Sequence, residues 1–275
     1  MAVDRSNACF YLWGGRGGKD MSAIATRSSA DEDADAVDDL WRFDTKKESW
    51  EKTVSKGAFP EGRSFHTMAM LENHLYVHAG CTAAGRLASL ESLDCKSAAW
   101  SAQPPAPGPA RGGTVLTAIP SHRDDGRLVL ARWGGFCGNE LGGPLDIFDP
   151  VQGEWTSHSA SVEGGEADPR KRSVHGFVPI TPPLRLGHDG AGKFLSDYYI
   201  LLQSEQGYRW RPLNDVARSA LPRQTLPEAR GWFAFDCQAL DDGRSGVRVV
   251  LHGGLNEQNE RLSDAWVLEI ESAAA

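Results

Sequence analysis

The chain has 275 residues, 30 of them glycine and 9 tryptophan, and a formal net charge of -8 at pH 7. That balance argues against nucleic acid and anionic membranes as partners, because phosphate-rich surfaces need a basic face. No apolar run approaches the roughly 18 residues of a bilayer span, the N-terminal MAVDRSNACF has no apolar stretch before a cleavage site, and Cys9, Cys81, Cys95, Cys137 and Cys237 are scattered without a CxxC, so the expected setting is cytoplasmic with reduced thiols, a nuclear one being the alternative.

Taken in chain order, the first element is FYLWGG, ending at Gly15, an aromatic and apolar run closed by glycine that reads as a strand. The GGRGG that follows (Gly14 to Gly18) opens no helix and lacks Lys-Ser/Thr, so it is not a phosphate cradle. The insert Asp20 to Asp38 leads into the acidic run Ala30 to Asp39, read as a solvated loop because the ligand order of an EF-hand is absent. LWRFD then ends at Asp44 and Trp50 follows. A second unit opens at Pro60 to Arg63 and continues through LYVHAG, ending at Gly80, and LESLD to Trp100. A third opens at Pro109 to Arg111 and runs through LVLARWGG, ending at Gly135, and LDIFD to Trp155. After an insert at Ser157 to Glu166, a fourth opens at Pro169 to Arg172. It is interrupted by Pro182 to Leu195 and gives YYILLQSEQG as its second strand, without a glycine pair; its later strands, between Tyr208 and Leu226, resist placement. A fifth opens at Pro227 to Arg230 and runs through VRVVLHGG, ending at Gly254, to LSDAWVLEI.

Three copies of Asp, five residues, then Trp, two of them at one distance from a preceding glycine, define an internal repeat. Four short antiparallel strands per unit of about fifty residues make one blade of an all-β propeller, with Trp50, Trp100 and Trp155 expected between blades. The corner arginine, the Gly-Gly pair and the spaced Asp and Trp resemble the kelch repeat over about four fifths of the chain. The expectation is a single kelch-type propeller over residues 1–275 with about five four-stranded blades, four and six being the alternatives. Its terminal blades are atypical: the first unit starts at its second strand near Cys9, the last stops at its third near Ile270, and one innermost and one outermost strand are missing.

The resemblance places the corners and the segments after each Gly-Gly around one mouth of the central channel. Candidate ligand-binding residues there are Arg63, Arg111, Arg172, Arg230, Arg16, Asn139, Gln203 and Asn256, since a guanidinium fork binds oxygens in pairs. Candidate proton-moving residues are His66, His175, Glu140 and Glu257. Each has a bland alternative: the arginines tie neighbouring blades through backbone carbonyls, and the histidines pack.

Two functions follow. The first is a protein-interaction scaffold that holds a protein partner through loops at the channel mouth. The alternative is a metal-independent small-molecule enzyme of isomerase, mutarotase or cyclase type at the same mouth. Neither reading calls for a cofactor. Specifier proteins of plants bind iron through Glu-x3-Asp-x3-His; Glu260-x3-Asp264 is present here, but Leu268 stands at the third position.

Overall fold

A computed structural model describes residues 1–17, 22–23, 40–123, 126–162, 169–178, 184–186, 194–195, 197–204, 207–213, 227–240 and 246–271. The acidic run Ala30 to Asp39 therefore lies outside the described residues. The described chain forms five antiparallel blades of a propeller, together with a two-stranded hairpin, Arg16–Gly17 with Ser22–Ala23.

Blade 1 orders Ala2–Asp4, Cys9–Leu12, Trp41–Asp44 and Ser49–Lys52 from the inside out. The sequence reading that this unit lacks its innermost strand is corrected: Ala2–Asp4 fills it, in register Ala2 to Tyr11. Three residues carry too little pattern to be read as a strand alone, and pairing with Cys9–Leu12 makes it one. Blade 2 comprises Thr67–Leu71, His74–His78, Leu90–Asp94 and Ala99–Gln103, with Lys56–Gly57 added in parallel at its outer edge. Blade 3 comprises Val115–Pro120, Leu128–Trp133, Leu145–Asp149 and Glu154–His158.

Blade 4 requires a second correction. Its inner strands are Gly176–Val178 and Leu184–Leu186, so Tyr198–Ser204, expected as the second strand, is the third. The true second strand lies inside the segment set aside as an insert. Gly207–Pro212 is the fourth strand, and Ser161–Val162 joins its outer edge in parallel. Blade 5 has only three strands among the described residues, Ala234–Ala239, Gly246–Leu255 and Arg261–Glu271, consistent with a missing outermost strand.

The core is a series of apolar layers between successive blades. Cys9, Tyr11 and Trp13 of blade 1 meet Met68, Leu75, Val77, Leu93 and Trp100 of blade 2. Leu71 and Tyr76 of blade 2 meet Leu116, Leu130 and Phe148 of blade 3. Val129 and Trp133 of blade 3 meet Leu201, Tyr208 and Trp210 of blade 4. Tyr198 and Ile200 of blade 4 meet Val247 and Val249 of blade 5. Strict alternation along each strand gives both faces an apolar set, as a stacked repeat requires. Trp50 departs from the expected core position: it is 46% exposed and packs on Phe10 and Phe43 of its own blade.

Candidate interaction site at the channel mouth

Inner strands begin, and second strands end, at one end of the propeller. There the four corner arginines perform one repeated job. Each Nε donates to the carbonyl two residues upstream, of Glu61, Pro109, Arg170 and Glu228. Arg63, Arg111 and Arg230 each add a bond from Nη1 to the carbonyl just before the last glycine of the second strand, Ala79, Gly134 and Gly253. Three then grip a carboxylate with both terminal nitrogens: Arg63 with Glu91, Arg172 with Asp197, and Arg230 with Asp264. Such forked, charge-assisted pairs are the strong geometry for guanidinium. In blade 3 the carboxylate of Asp146 goes instead to the fully buried Arg132. Burial, with repulsion from Arg132, brings Arg111 down to about 10. Arg230 is the largest influence holding Asp264 down at about 2, with a bond from the Trp266 indole assisting. All four arginines are buried. The hydrogen bonds of these side chains stay within their own blades.

The ties between blades run through the backbone of the same corners. Gly15, Gly80 and Gly135 donate their N–H to the carbonyls of Arg63, Arg111 and Arg172 in the following blade, at 2.8–2.9 Å. A second ring lies one turn further on: Gly113 N–H donates to Phe65 O, and Val174 N–H to Gly113 O. To turn its amide sideways, the residue two after each corner arginine adopts a left-handed backbone, with φ of 54° at Phe65, 63° at Gly113, 46° at Val174 and 54° at Trp232. Glycine makes this turn freely, whereas a side chain there costs about 1–2 kcal/mol. Yet Phe65 and Trp232 present large apolar rings at 41% and 47% exposure. The Arg16 guanidinium lies 5.2 Å from the centre of the Phe65 ring, Arg86 stands 4.9 Å from that of Phe136, and Phe194 leans edge-on to Trp232. Sequence reading missed this rim, because four different residue types, Phe, Gly, Val and Trp, share one backbone role. The signal available was position alone, two residues beyond each corner arginine.

The histidines pack. His66 sits edge-on to Trp13 at 5.1 Å and His175 edge-on to Trp133 at 5.4 Å, each against the second strand of the preceding blade. Arg63 and Arg172 face the same two indoles at 5.8 and 5.7 Å. Burial, aided by repulsion from Arg63, pushes His66 down to about 3. Burial and the nearby Arg132 push His78 well below its ordinary value.

The remaining candidates are dispersed. Arg16 donates to Ser64 Oγ, and Glu140 accepts from Ser173 Oγ at 3.1 Å, both at the mouth. Asn139 is exposed in the loop after Gly138 and Glu257 is exposed beyond Gly254. Asn256 is buried and organises its own turn, accepting from the backbone N–H of Gln258 and Glu260. Gln203 lies at the opposite end, donating to Ser121 O, because its strand is the third of its blade. Two crevices of about 190 and 360 Å³ lie between blades 1 and 2 and between blades 2 and 3; none of the candidate site residues lines either. No three His, Cys, Asp or Glu side chains converge as a metal site among the described residues. The iron triad of the specifier type does not fit: Asp264 is engaged by Arg230, and Leu268 packs against the core between blades 4 and 5.

Comparison with known proteins agrees with this geometry. Over 273 residues the chain is 26% identical to an N-(sulfonatooxy)prop-2-enimidothioate sulfolyase of Thlaspi arvense, covering 86% of this chain and 71% of that protein. A shorter likeness, 41% over 44 residues, links it to human host cell factor 2, covering 16% of this chain and 6% of that protein. The family model of the KLHDC2/KLHL20/DRC7 kelch-repeats domain matches residues 1–184, and the chain belongs to the kelch-repeat family.

Proposed function

We propose that this propeller is a protein-interaction scaffold that holds a protein partner on the loop face at its channel mouth. The observation carrying this reading is the rim itself: Phe65 and Trp232 expose large rings from left-handed backbone, where glycine would be the easier residue. Strain kept at exposed aromatic positions is best explained by what those rings touch, and aromatic side chains dominate the centres of protein interfaces. The neighbouring arginines are engaged inside their blades, which leaves the rim as the recognition element. The test replaces Phe65 or Trp232 with the photocrosslinker p-benzoylphenylalanine in the cell of origin, with Leu128, exposed at the opposite end, as control. The same polypeptide is expected to be captured from both rim positions and not from position 128. Equal capture from all three, or none from the rim, overturns the reading.

A second reading draws on the sulfolyase likeness. The mouth then serves a small-molecule enzyme, with His66, His175, Glu140 and Glu257 as proton carriers. A metabolite that stays bound through native mass spectrometry, and is lost from the Glu140→Gln variant, would favour it over the scaffold.

A further inference from the structure

The faces that blades 1, 2 and 3 turn toward the following blade repeat one row of three residues, taken from the second, third and fourth strands. The rows are Tyr11, Arg42 and Glu51; Tyr76, Ser92 and Ser101; and Ala131, Ile147 and Thr156. In blade 1 the row is filled: Arg42 donates to Glu51 at 2.5 Å, and the crevice left against blade 2 is about 190 Å³. In blade 3 it is mostly apolar, with Ala131 and Ile147 buried in the core shared with blade 4. Blade 2 has two serines where its neighbours have bulk. The crevice against blade 3 is about 360 Å³, within the range of ligand pockets, about 300–1,000 Å³.

The lining of this larger crevice sorts by charge. Asp94 accepts from the backbone N–H of Lys96 and from Ser97 Oγ, and Arg127 lies 3.4 Å from Asp149. Glu72 stands on the blade 2 side and Arg127 on the blade 3 side, so a ligand with net charge of either sign meets a like charge. The neutral groups are the ones with capacity to bond. Tyr76 Oη and Ser101 Oγ make no hydrogen bond among the described residues. Ser92 Oγ accepts from Gln103 Nε2 at 2.9 Å, which leaves the Ser92 proton and the Gln103 side-chain carbonyl for a ligand. Burial, with repulsion from Glu72, pushes Tyr76 up to about 12, so its phenol keeps its proton as a donor. Beside these groups lies apolar surface, with Leu128 and Val151 exposed on the blade 3 side. Hydroxyl and amide groups next to exposed C–H surface complement a compact, neutral, hydroxyl-rich ring.

We propose that the crevice between blades 2 and 3 binds a neutral sugar of one or two rings. Tyr76, Ser92, Ser101 and Gln103 bond its hydroxyls, and Leu128 and Val151 pack on its C–H face. A site built to bond hydroxyls discriminates through them, because a ligand lacking one leaves a protein group unpaired. The crevice lies at the end of the propeller away from the channel mouth, so the proposal goes beyond the loop-face reading and does not rest on it.

The test titrates the whole protein by saturation-transfer NMR with glucose, galactose, mannose, xylose, maltose, sucrose and trehalose. Glucuronate, galacturonate, glucosamine and galactosamine serve as charged counterparts. At least one neutral sugar is expected to saturate, and to bind at least tenfold tighter than any of the charged ones. Tyr76→Phe removes an oxygen that bonds nothing among the described residues, so it should leave the denaturant midpoint in place and weaken the sugar at least tenfold. Ser101→Leu refills the row from an exposed position and should abolish binding, again with the midpoint kept. No saturation by any neutral sugar up to about 10 mM, tighter binding of a charged counterpart, or an affinity unchanged in either variant each overturns the proposal.

Discussion

The boundary between blades 2 and 3 and the seam between blades 5 and 1 are built by the same repeat and end up opposite in character. At the first, Leu71, Tyr76, Leu90, Leu116, Leu130 and Phe148 form a buried apolar layer. It is crossed by the Gly80 N–H bond to Arg111 O, by the Leu116 N–H bond to Thr67 Oγ1 and by the Trp155 indole bond to Pro104 O. Buried within it, Arg132 and Asp146 form an ion pair, with Ser157 Oγ donating to the same carboxylate. At the seam, Val3, Leu12 and Trp50 of blade 1 and Val250 and Val267 of blade 5 remain exposed. What the described residues place across it is Arg5, donating to Cys237 O at 2.5 Å and to Asp236 at 3.3 Å. A stacked repeat stabilises each unit through its neighbours, so a face without a full neighbour keeps its apolar set in water. Stability is therefore concentrated in the inner boundaries, and opening is expected to begin at the seam.

The largest expected effect breaks the strong side of this contrast. Asp146→Ala leaves Arg132 charged and buried beside Arg111, and removing one partner of a buried pair costs about 3–5 kcal/mol. The denaturant midpoint should fall accordingly, and Arg132→Met added to Asp146→Ala should recover much of the loss. If the single variant unfolds at the wild-type midpoint, the pair is not what seals this boundary. Next in size is a matched pair of truncations. Trp100 is 4% exposed and Trp50 is 46% exposed, although both hold the same repeat position. Trp100→Ala should cost about 3–5 kcal/mol, as for other buried aromatics, and Trp50→Ala about 1 kcal/mol or less. Equal costs would mean that blade 1 is covered in solution and that the seam is closed.

The two regions also differ in how far their residues could be read. Glycine-terminated strands and the Asp-x5-Trp spacing report local geometry, so blades 2 and 3 are legible nearly residue by residue. Blade 4 is not, because its second strand, Leu184–Leu186, lacks the closing glycine pair and is only three residues long. Tyr198–Ser204 then has the length and the aromatic and apolar character of the missing strand and takes its place in the reading. Gln203 sits at the opposite end from that expected for the same reason, since a shift of one strand reverses chain direction. No Asp-x5-Trp spacing marks Trp210. The spacing of Trp50 predicts a core position, and spacing alone cannot tell whether the neighbouring blade is complete. At the mouth, the arginines were legible as residues but their partners were not. Glu91, Asp197 and Asp264 are brought to them by pairing between strands 25–34 residues apart. The left-handed rim is a backbone property shared by Phe65, Gly113, Val174 and Trp232, and no residue type encodes it.

The smallest expected effect tests the seam directly. Arg5 is largely exposed, as is Asp236, and exposed pairs contribute about 0–1 kcal/mol. Arg5→Ala should therefore leave the global midpoint nearly unchanged. Its consequence should be local, because Arg5 also caps the carbonyl of Cys237 on the innermost strand of blade 5. Amides of Ala234–Ala239 are expected to exchange faster in the variant, while those of residues 129–133, buried in the second strand of blade 3, keep their wild-type protection. Partial and local openings sit well below global unfolding in free energy, so exchange resolves a change that a melting curve averages away. Faster exchange in both strands would mean that the ring opens as one unit and that the seam is no weaker than the boundary between blades 2 and 3.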